Sequence, residues 1–107
     1  MSDFVKVASV AEIPPGGREV FEIADEIYVA VFNVGGKYYA IEDICTHDDG
    51  PVAEGELVDE YVISCPRHGA QFDIRDGSVV QMPATKPLPW HAVKVDGDEI
   101  LVAVSST

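Results

Sequence analysis

A chain of 107 residues, 47% of them hydrophobic, is long enough for one small domain with a modest core and too short for two. Its formal charge of −12 leaves no basic stripe to neutralise phosphates, which argues against nucleic acid and favours basic protein partners, although acidity alone also keeps a small protein soluble and monomeric. The amino terminus lacks a basic, apolar leader and no apolar run approaches the ~20 residues of a membrane helix, so a soluble, cytoplasmic chain with no membrane partner is expected.

In chain order, residues 3–8 read as a first strand, and Ser9-Val10-Ala11-Glu12 has the spacing of a capping box, which predicts one helical turn. Pro14-Pro15-Gly16-Gly17 then stops any helix. Residues 18–24 alternate polar and apolar side chains, with Val20 and Phe21 breaking the period, and residues 27–34 are apolar and β-branched. Strand character resumes at 37–42 after Gly35-Gly36, a pair that supplies the positive φ values of a tight hairpin; between strands it is turn chemistry and not a phosphate cradle.

Further on, Tyr61-Val62-Ile63-Ser64 reads as a strand that delivers Cys65, and residues 70–75 lead to a turn at Asp76-Gly77. The three prolines within residues 81–89 remove amide donors and argue against a central strand there. Residues 90–95, a turn at Asp96-Gly97 and residues 99–104 make a closing hairpin. Short, evenly spaced strands predict an all-β fold, a small antiparallel sandwich or barrel, with no internal repeat.

Two of the connections carry metal-ligand chemistry. Cys45-Thr46-His47 and Cys65-Pro66-Arg67-His68 each offer one thiolate and one imidazole, separated by seventeen residues, and Cys45 and Cys65 are the only cysteines in the chain. Assigning both to metal makes a disulfide unnecessary, which agrees with a reducing compartment. Zinc accepts two sulfurs and two nitrogens, but its familiar modules pair cysteine with cysteine and histidine with histidine on separate elements. A Rieske-type [2Fe–2S] centre needs one of each from each loop, because one iron takes two cysteines and the other two histidines. Cys45 and Cys65 then reach the inner iron, and His47 and His68 the outer one.

The stretches around these ligands resemble the Rieske ferredoxins. Asp43-Ile-Cys-Thr-His-Asp-Asp-Gly-Pro-Val-Ala-Glu-Gly55 is similar to the family's first cluster loop, Cys65-Pro-Arg-His-Gly-Ala-Gln-Phe-Asp73 to its second, and Met82-Pro83-Ala84 with the following prolines to its covering loop. The resemblance implies a single Rieske domain over residues 1–107, with cluster loops at approximately 43–55, 65–72 and 81–89. A β base would present one [2Fe–2S] cluster, held by Cys45, His47, Cys65 and His68, on a subdomain at one tip. It also implies a one-electron carrier that takes electrons from a reductase and passes them to a terminal oxygenase, as the ferredoxin components of bacterial ring-hydroxylating dioxygenase systems do. Such a chain is an electron-transfer component and not itself an enzyme.

Two other readings stay open at this point. One keeps the cluster in an accessory subunit resembling the small subunit of assimilatory nitrite reductase, or in a carrier for iron–sulfur maturation. The other is a zinc-stabilised interaction module without redox chemistry.

Departures from the family pattern separate its branches. Rieske proteins of quinol-oxidising complexes carry an additional disulfide-forming cysteine in each cluster loop, at positions that match Gly50 and Arg67, and hydroxyl donors where this chain has Ala70 and Phe72. Fewer hydroxyl hydrogen bonds to the cluster mean less stabilisation of its reduced form, which implies the low-potential, ferredoxin-like branch.

Among the remaining residues, Arg67 is matched equally by a partner contact and by an ion pair with Asp43, Asp48 or Asp49. His91 is expected as a surface or satisfied strand histidine and not a ligand, and Trp90 as core or a lid over the proline-rich loop. The exposed edges of His47 and His68, rimmed by Asp48, Asp49 and Glu54, are expected to form the docking surface.

Overall fold

The computed structural model describes residues 3–24, 27–43, 55–65, 70–81 and 87–104. Eleven strands occur among them: β1 (Phe4–Ser9), β2 (Arg18–Ala24), β3 (Ile27–Val34), β4 (Lys37–Glu42), β5 (Leu57–Asp59), β6 (Val62–Ser64), β7 (Gln71–Asp73), β8 (Val79–Gln81), β9 (Trp90–His91), β10 (Val93–Asp96) and β11 (Glu99–Ala103). They form three sheets, ordered β1-β11-β10, β2-β3-β4-β9 and β5-β6-β7-β8. Every pairing among them is antiparallel.

The apolar run at 27–34 becomes the most enclosed strand of the middle sheet. Val29 to Asn33 are all buried, because the pleat sends Val29 and Val31 to one face while Ala30 and Phe32 go to the other, and both faces are covered. On the first face Val29 and Val31 meet Ile100 and Val102 of the outer sheet, with Ala8 and Ile13. On the second, Ala30 and Phe32 join Ile63, Cys65, Phe72 and Leu88 from the opposite side of the molecule. No helix among the described residues is long and apolar enough to cross a membrane.

Local chemistry accounts for the turns. Gly35 and Gly36 take φ values of 61° and 93° between Val34 and its partner Lys37, the positive pair that a two-residue hairpin requires. Asn33, buried at the same hairpin, donates from Nδ2 to the Ile13 carbonyl at 2.8 Å, and its Oδ1 accepts from the Gly36 amide at 2.8 Å. Its backbone binds Gly16 and Gly17, so the Pro-Pro-Gly-Gly stop is fastened to the β3–β4 hairpin.

Four expectations change in the folded chain. A helical turn does follow β1, as a single 3-10 turn at Val10–Glu12, but the Ser9 side chain does not cap it. The Val10 amide, one of the first-turn donors without a partner inside the turn, donates to the Asp98 carbonyl at 2.8 Å, so the closing hairpin ties down the start of the turn. The run expected as one strand at 90–95 divides at Ala92: β9 pairs with β4 in the middle sheet, while β10 pairs with β11 in the outer one. The closing hairpin turns at Gly97-Asp98, one residue later than expected, with Gly97 at φ 63°. Finally, β5 and β8 add edge strands on either side of β6-β7.

Candidate metal centre

Of the four candidate ligands, Cys65 lies within the described residues; Cys45, His47 and His68 lie outside them, as do Arg67, Asp48, Asp49, Gly50 and Glu54. Strand β6 delivers Cys65 as the residue pattern predicts. Its amide donates to the Ala70 carbonyl at 2.6 Å, continuing the β6–β7 ladder one step past the Ser64–Gln71 pair. The two ends of segment 66–69, which carries His68, are therefore held face to face.

Cys65 is 2% exposed and packs in the core that contains Ile63, Phe72 and Leu88. Ala70 and Phe72, where hydroxyl-bearing relatives would differ, belong to the same core and are fully buried. A buried thiol on a hydrogen-bonded strand end, followed in sequence by His68, fits the donor set of a Rieske cluster, in which one iron would take two cysteines and the other two histidines.

Backbone hydrogen bonds tie the three candidate loops at their roots. The Ser64 amide donates to the Glu56 carbonyl at 2.9 Å, joining the end of the first loop to the start of the second. The Glu42 amide donates to the Pro89 carbonyl at 2.9 Å, joining the entry of the first loop to the exit of the third. The Leu88 amide donates to the Gly77 carbonyl at 2.8 Å, which fastens that exit to the turn after β7. Gly77 has φ 72°, and a Cβ there would lie 1.9 Å from the Leu88 carbonyl oxygen, so only glycine permits this approach.

Two anchoring groups were not evident in the residue pattern. Arg18 of β2 donates from Nη1 to the carbonyl of Gly55, the last residue of the first loop, while its guanidinium sits 5.4 Å from the Phe32 ring centroid. An arginine in an alternating strand gives no local sign of a partner 37 residues away. Beside the second loop, Arg75 grips Asp73 through a two-pronged contact, Nε to Oδ1 at 3.0 Å and Nη2 to Oδ2 at 2.7 Å, and lies 4.3 Å from the Tyr61 ring centroid. These hydrogen bonds hold the Asp73 carboxyl below the usual carboxylate range.

His91 and Trp90 behave as expected. His91 is 2% exposed and bonded through both ring nitrogens, and Trp90 packs against the core that holds Cys65.

The sequence profile of the Rieske [2Fe–2S] domain matches residues 3–104. The chain is 40% identical over 93 residues to the 3-phenylpropionate/cinnamic acid dioxygenase ferredoxin subunit of Shigella boydii serotype 4 (strain Sb227), covering 87% of this chain and 86% of that one. Its structure is similar to the ferredoxin of carbazole 1,9a-dioxygenase from Nocardioides aromaticivorans IC177, with a TM-score of 0.86, 36% identity and coverage of 94% and 96%. A chain from a complex of reduced oxygenase and oxidized ferredoxin in carbazole 1,9a-dioxygenase is similar at a TM-score of 0.90 and 35% identity, with coverage of 97% and 95%. A match across almost the whole chain, on an all-antiparallel fold that buries Cys65 at the end of β6, makes this protein a member of the Rieske [2Fe–2S] family.

Proposed function

We propose that this protein is the one-electron carrier of a ring-hydroxylating dioxygenase system, taking electrons from a reductase and passing them to a terminal oxygenase. The observation that carries this reading is its 40% identity to a dioxygenase ferredoxin subunit, over 86% of that subunit's length. The whole chain, residues 1–107, acts as a single Rieske domain, soluble, cytoplasmic and monomeric, with cluster loops at approximately 43–55, 65–72 and 81–89.

Cys45 and Cys65 would hold the inner iron and His47 and His68 the outer one of a single [2Fe–2S] cluster. Such a cluster supplies reversible one-electron storage. The protein's part is to hold the ligands still. The β6–β7 ladder fixes Cys65, Arg18 fixes the end of the first loop, and the Gly77–Leu88 contact fixes the exit of the covering loop. Fixed roots keep the ligand geometry the same in both redox states, which lowers the reorganisation that accompanies transfer.

Charge also favours a carrier. Two thiolates, two sulfides and two ferric ions sum to zero with neutral imidazoles, so the added electron meets less opposing charge than in a four-cysteine site. Ala70 and Phe72 bring no hydroxyl to the region of Cys65, which supports a potential toward the lower end of the Rieske range of roughly −150 to +300 mV.

The test is anaerobic purification, followed by iron, sulfide and zinc analysis, paramagnetic resonance and stopped-flow transfer to a dioxygenase terminal component. Equal iron and acid-labile sulfide, a Rieske-type reduced spectrum and second-order transfer slowed by added salt are expected. Stoichiometric zinc without iron, or a potential well above zero at neutral pH, defeats the reading.

A further inference from the structure

Both ring nitrogens of buried His91 face hydrogen-bond acceptors. Nδ1 lies 2.7 Å from the Ala103 carbonyl oxygen, which can only accept, and Nε2 lies 3.0 Å from Oε2 of Glu42. Neutral imidazole carries one N–H, and the Ala103 carbonyl claims it. A lone pair on Nε2 would then oppose a carboxylate oxygen at contact distance inside the fold, so a second proton must lie between Nε2 and Glu42.

Chemistry decides where that proton sits. Glu42 keeps a quarter of its side chain exposed to water, which solvates the ionised carboxylate, so the proton stays on the ring, where it is shared with that carboxylate. We propose that His91 is a buried imidazolium, paired with ionised Glu42, and that the pair is a positioning device for the metal centre.

Its place in the fold gives it that role. Glu42 ends β4 three residues before Cys45, and His91 ends β9, directly after the exit of the covering loop. The ladder pairs Ala40 with His91 and Ile41 with Trp90, and the Glu42 amide binds the Pro89 carbonyl. Strand β9 is only two residues long, so this short ladder depends on a side-chain tie. Through Ala103 the same ring fastens β9 to β11 of the outer sheet, at the point where the 90–95 run crosses between sheets. The pair thus ties the roots of the first and third loops to the β base and keeps the Glu42 charge neutralised three residues before Cys45.

The test uses the intact holoprotein, with 15N-histidine labelling and measurement of the reduction potential. At neutral pH the His91 ring should show both N–H groups, and Glu42→Gln should leave one, since a Gln amide can donate to Nε2. The potential measurement rests on the cluster assignment proposed above. His91→Gln should keep the visible spectrum yet lower the potential, because Glu42 is left as an uncompensated negative charge; adding Glu42→Gln should restore it. Should His91→Gln fail to fold, the Glu42→Gln ring signals still decide the matter. A single ring N–H in the parent protein overturns the proposal, as does a double variant whose potential stays as low as that of His91→Gln. Failure of the cluster assignment would appear separately, as a protein with both ring protons and no Rieske spectrum.

Discussion

The middle sheet separates two cores built by different means. On its outer-sheet side, Val29, Val31, Ile100 and Val102 come from strands of five to eight residues, joined by long antiparallel ladders. On the side of the metal centre, Ile63 and Phe72 come from strands of three residues each, flanked by edge strands equally short. Three-residue strands supply few ladder bonds, so this region relies more on Phe32 and Phe72 and on the loop anchors. The difference is one of means: long ladders join the base, while the subdomain has fewer backbone pairs and rests more on side-chain packing and loop anchors, so its stability is expected to respond more strongly to a bound group.

Removing the cluster breaks that balance most severely. Cys65→Ser should abolish cluster assembly, and amide exchange should then accelerate in β5 to β8 while β1 to β4 and β11 keep most of their protection. Uniform loss of protection across all three sheets would show that the two regions fold as one unit.

Cavities cut into the two cores sharpen the contrast. Phe72→Ala should cost about 3–5 kcal/mol and reduce the fraction of chains that hold cluster. Ile100→Ala should cost about 2–5 kcal/mol in global unfolding while leaving the cluster spectrum unchanged in the folded fraction. Denaturation followed both by far-ultraviolet dichroism and by visible absorbance separates the outcomes, and cluster loss in Ile100→Ala equal to that in Phe72→Ala would erase the distinction.

A smaller effect is expected at the loop anchor. Gly77→Ala places a Cβ against the Leu88 carbonyl and demands a positive φ from alanine, so it should destabilise by more than about 1 kcal/mol. The shift should also appear in the reduced paramagnetic spectrum, since Leu88 leads out of the covering loop. A spectrum identical to that of the parent would detach this contact from the metal centre.

The smallest effect lies at Asp73. Its folded carboxyl is more acidic than the unfolded one because Arg75 hydrogen-bonds to the ionised form. The contribution is therefore complete above the unfolded value of about 3.9 and is lost as pH falls through the lower folded value. With half of the Arg75 side chain exposed, Asp73→Asn should cost about 0.2–1 kcal/mol at pH 7. The difference from the parent should narrow below pH ~4; a gap that widens in acid would reverse the sign of the linkage.

How far the fold was legible in the residues varied with the distance over which each feature is decided. The strands 18–24, 27–34 and 37–42 matched their periodicity because alternation and a turn pair act within a few residues. The run at 90–95 misled for the same reason. It carries a continuous strand pattern, and only the competing partners β4 and β11 divide it at Ala92. Strands β5 and β8 are each three residues long and establish no period of their own; β6 is as short but sits in a β-branched run leading to Cys65, whereas pairing with β6 and β7 is what makes β5 and β8 strands.

The expected donor set, Cys45, His47, Cys65 and His68, is written locally, in two short motifs, since such an expectation needs only side-chain type and spacing; of the four, Cys65 lies among the described residues, buried at the end of β6. The supporting contacts are not written locally. Arg18 meets Gly55 across 37 residues and His91 meets Glu42 across 49, and neither arginine nor histidine signals its partner in a strand pattern. Strand-and-turn order and the thiolate–imidazole pattern can be read from the residues alone. Folding settles which sheet each half of 90–95 joins, which side chains clamp the loop roots, and that His91 meets an acceptor at each ring nitrogen. Those outcomes depend on residues brought together by folding, and local periodicity carries no record of them.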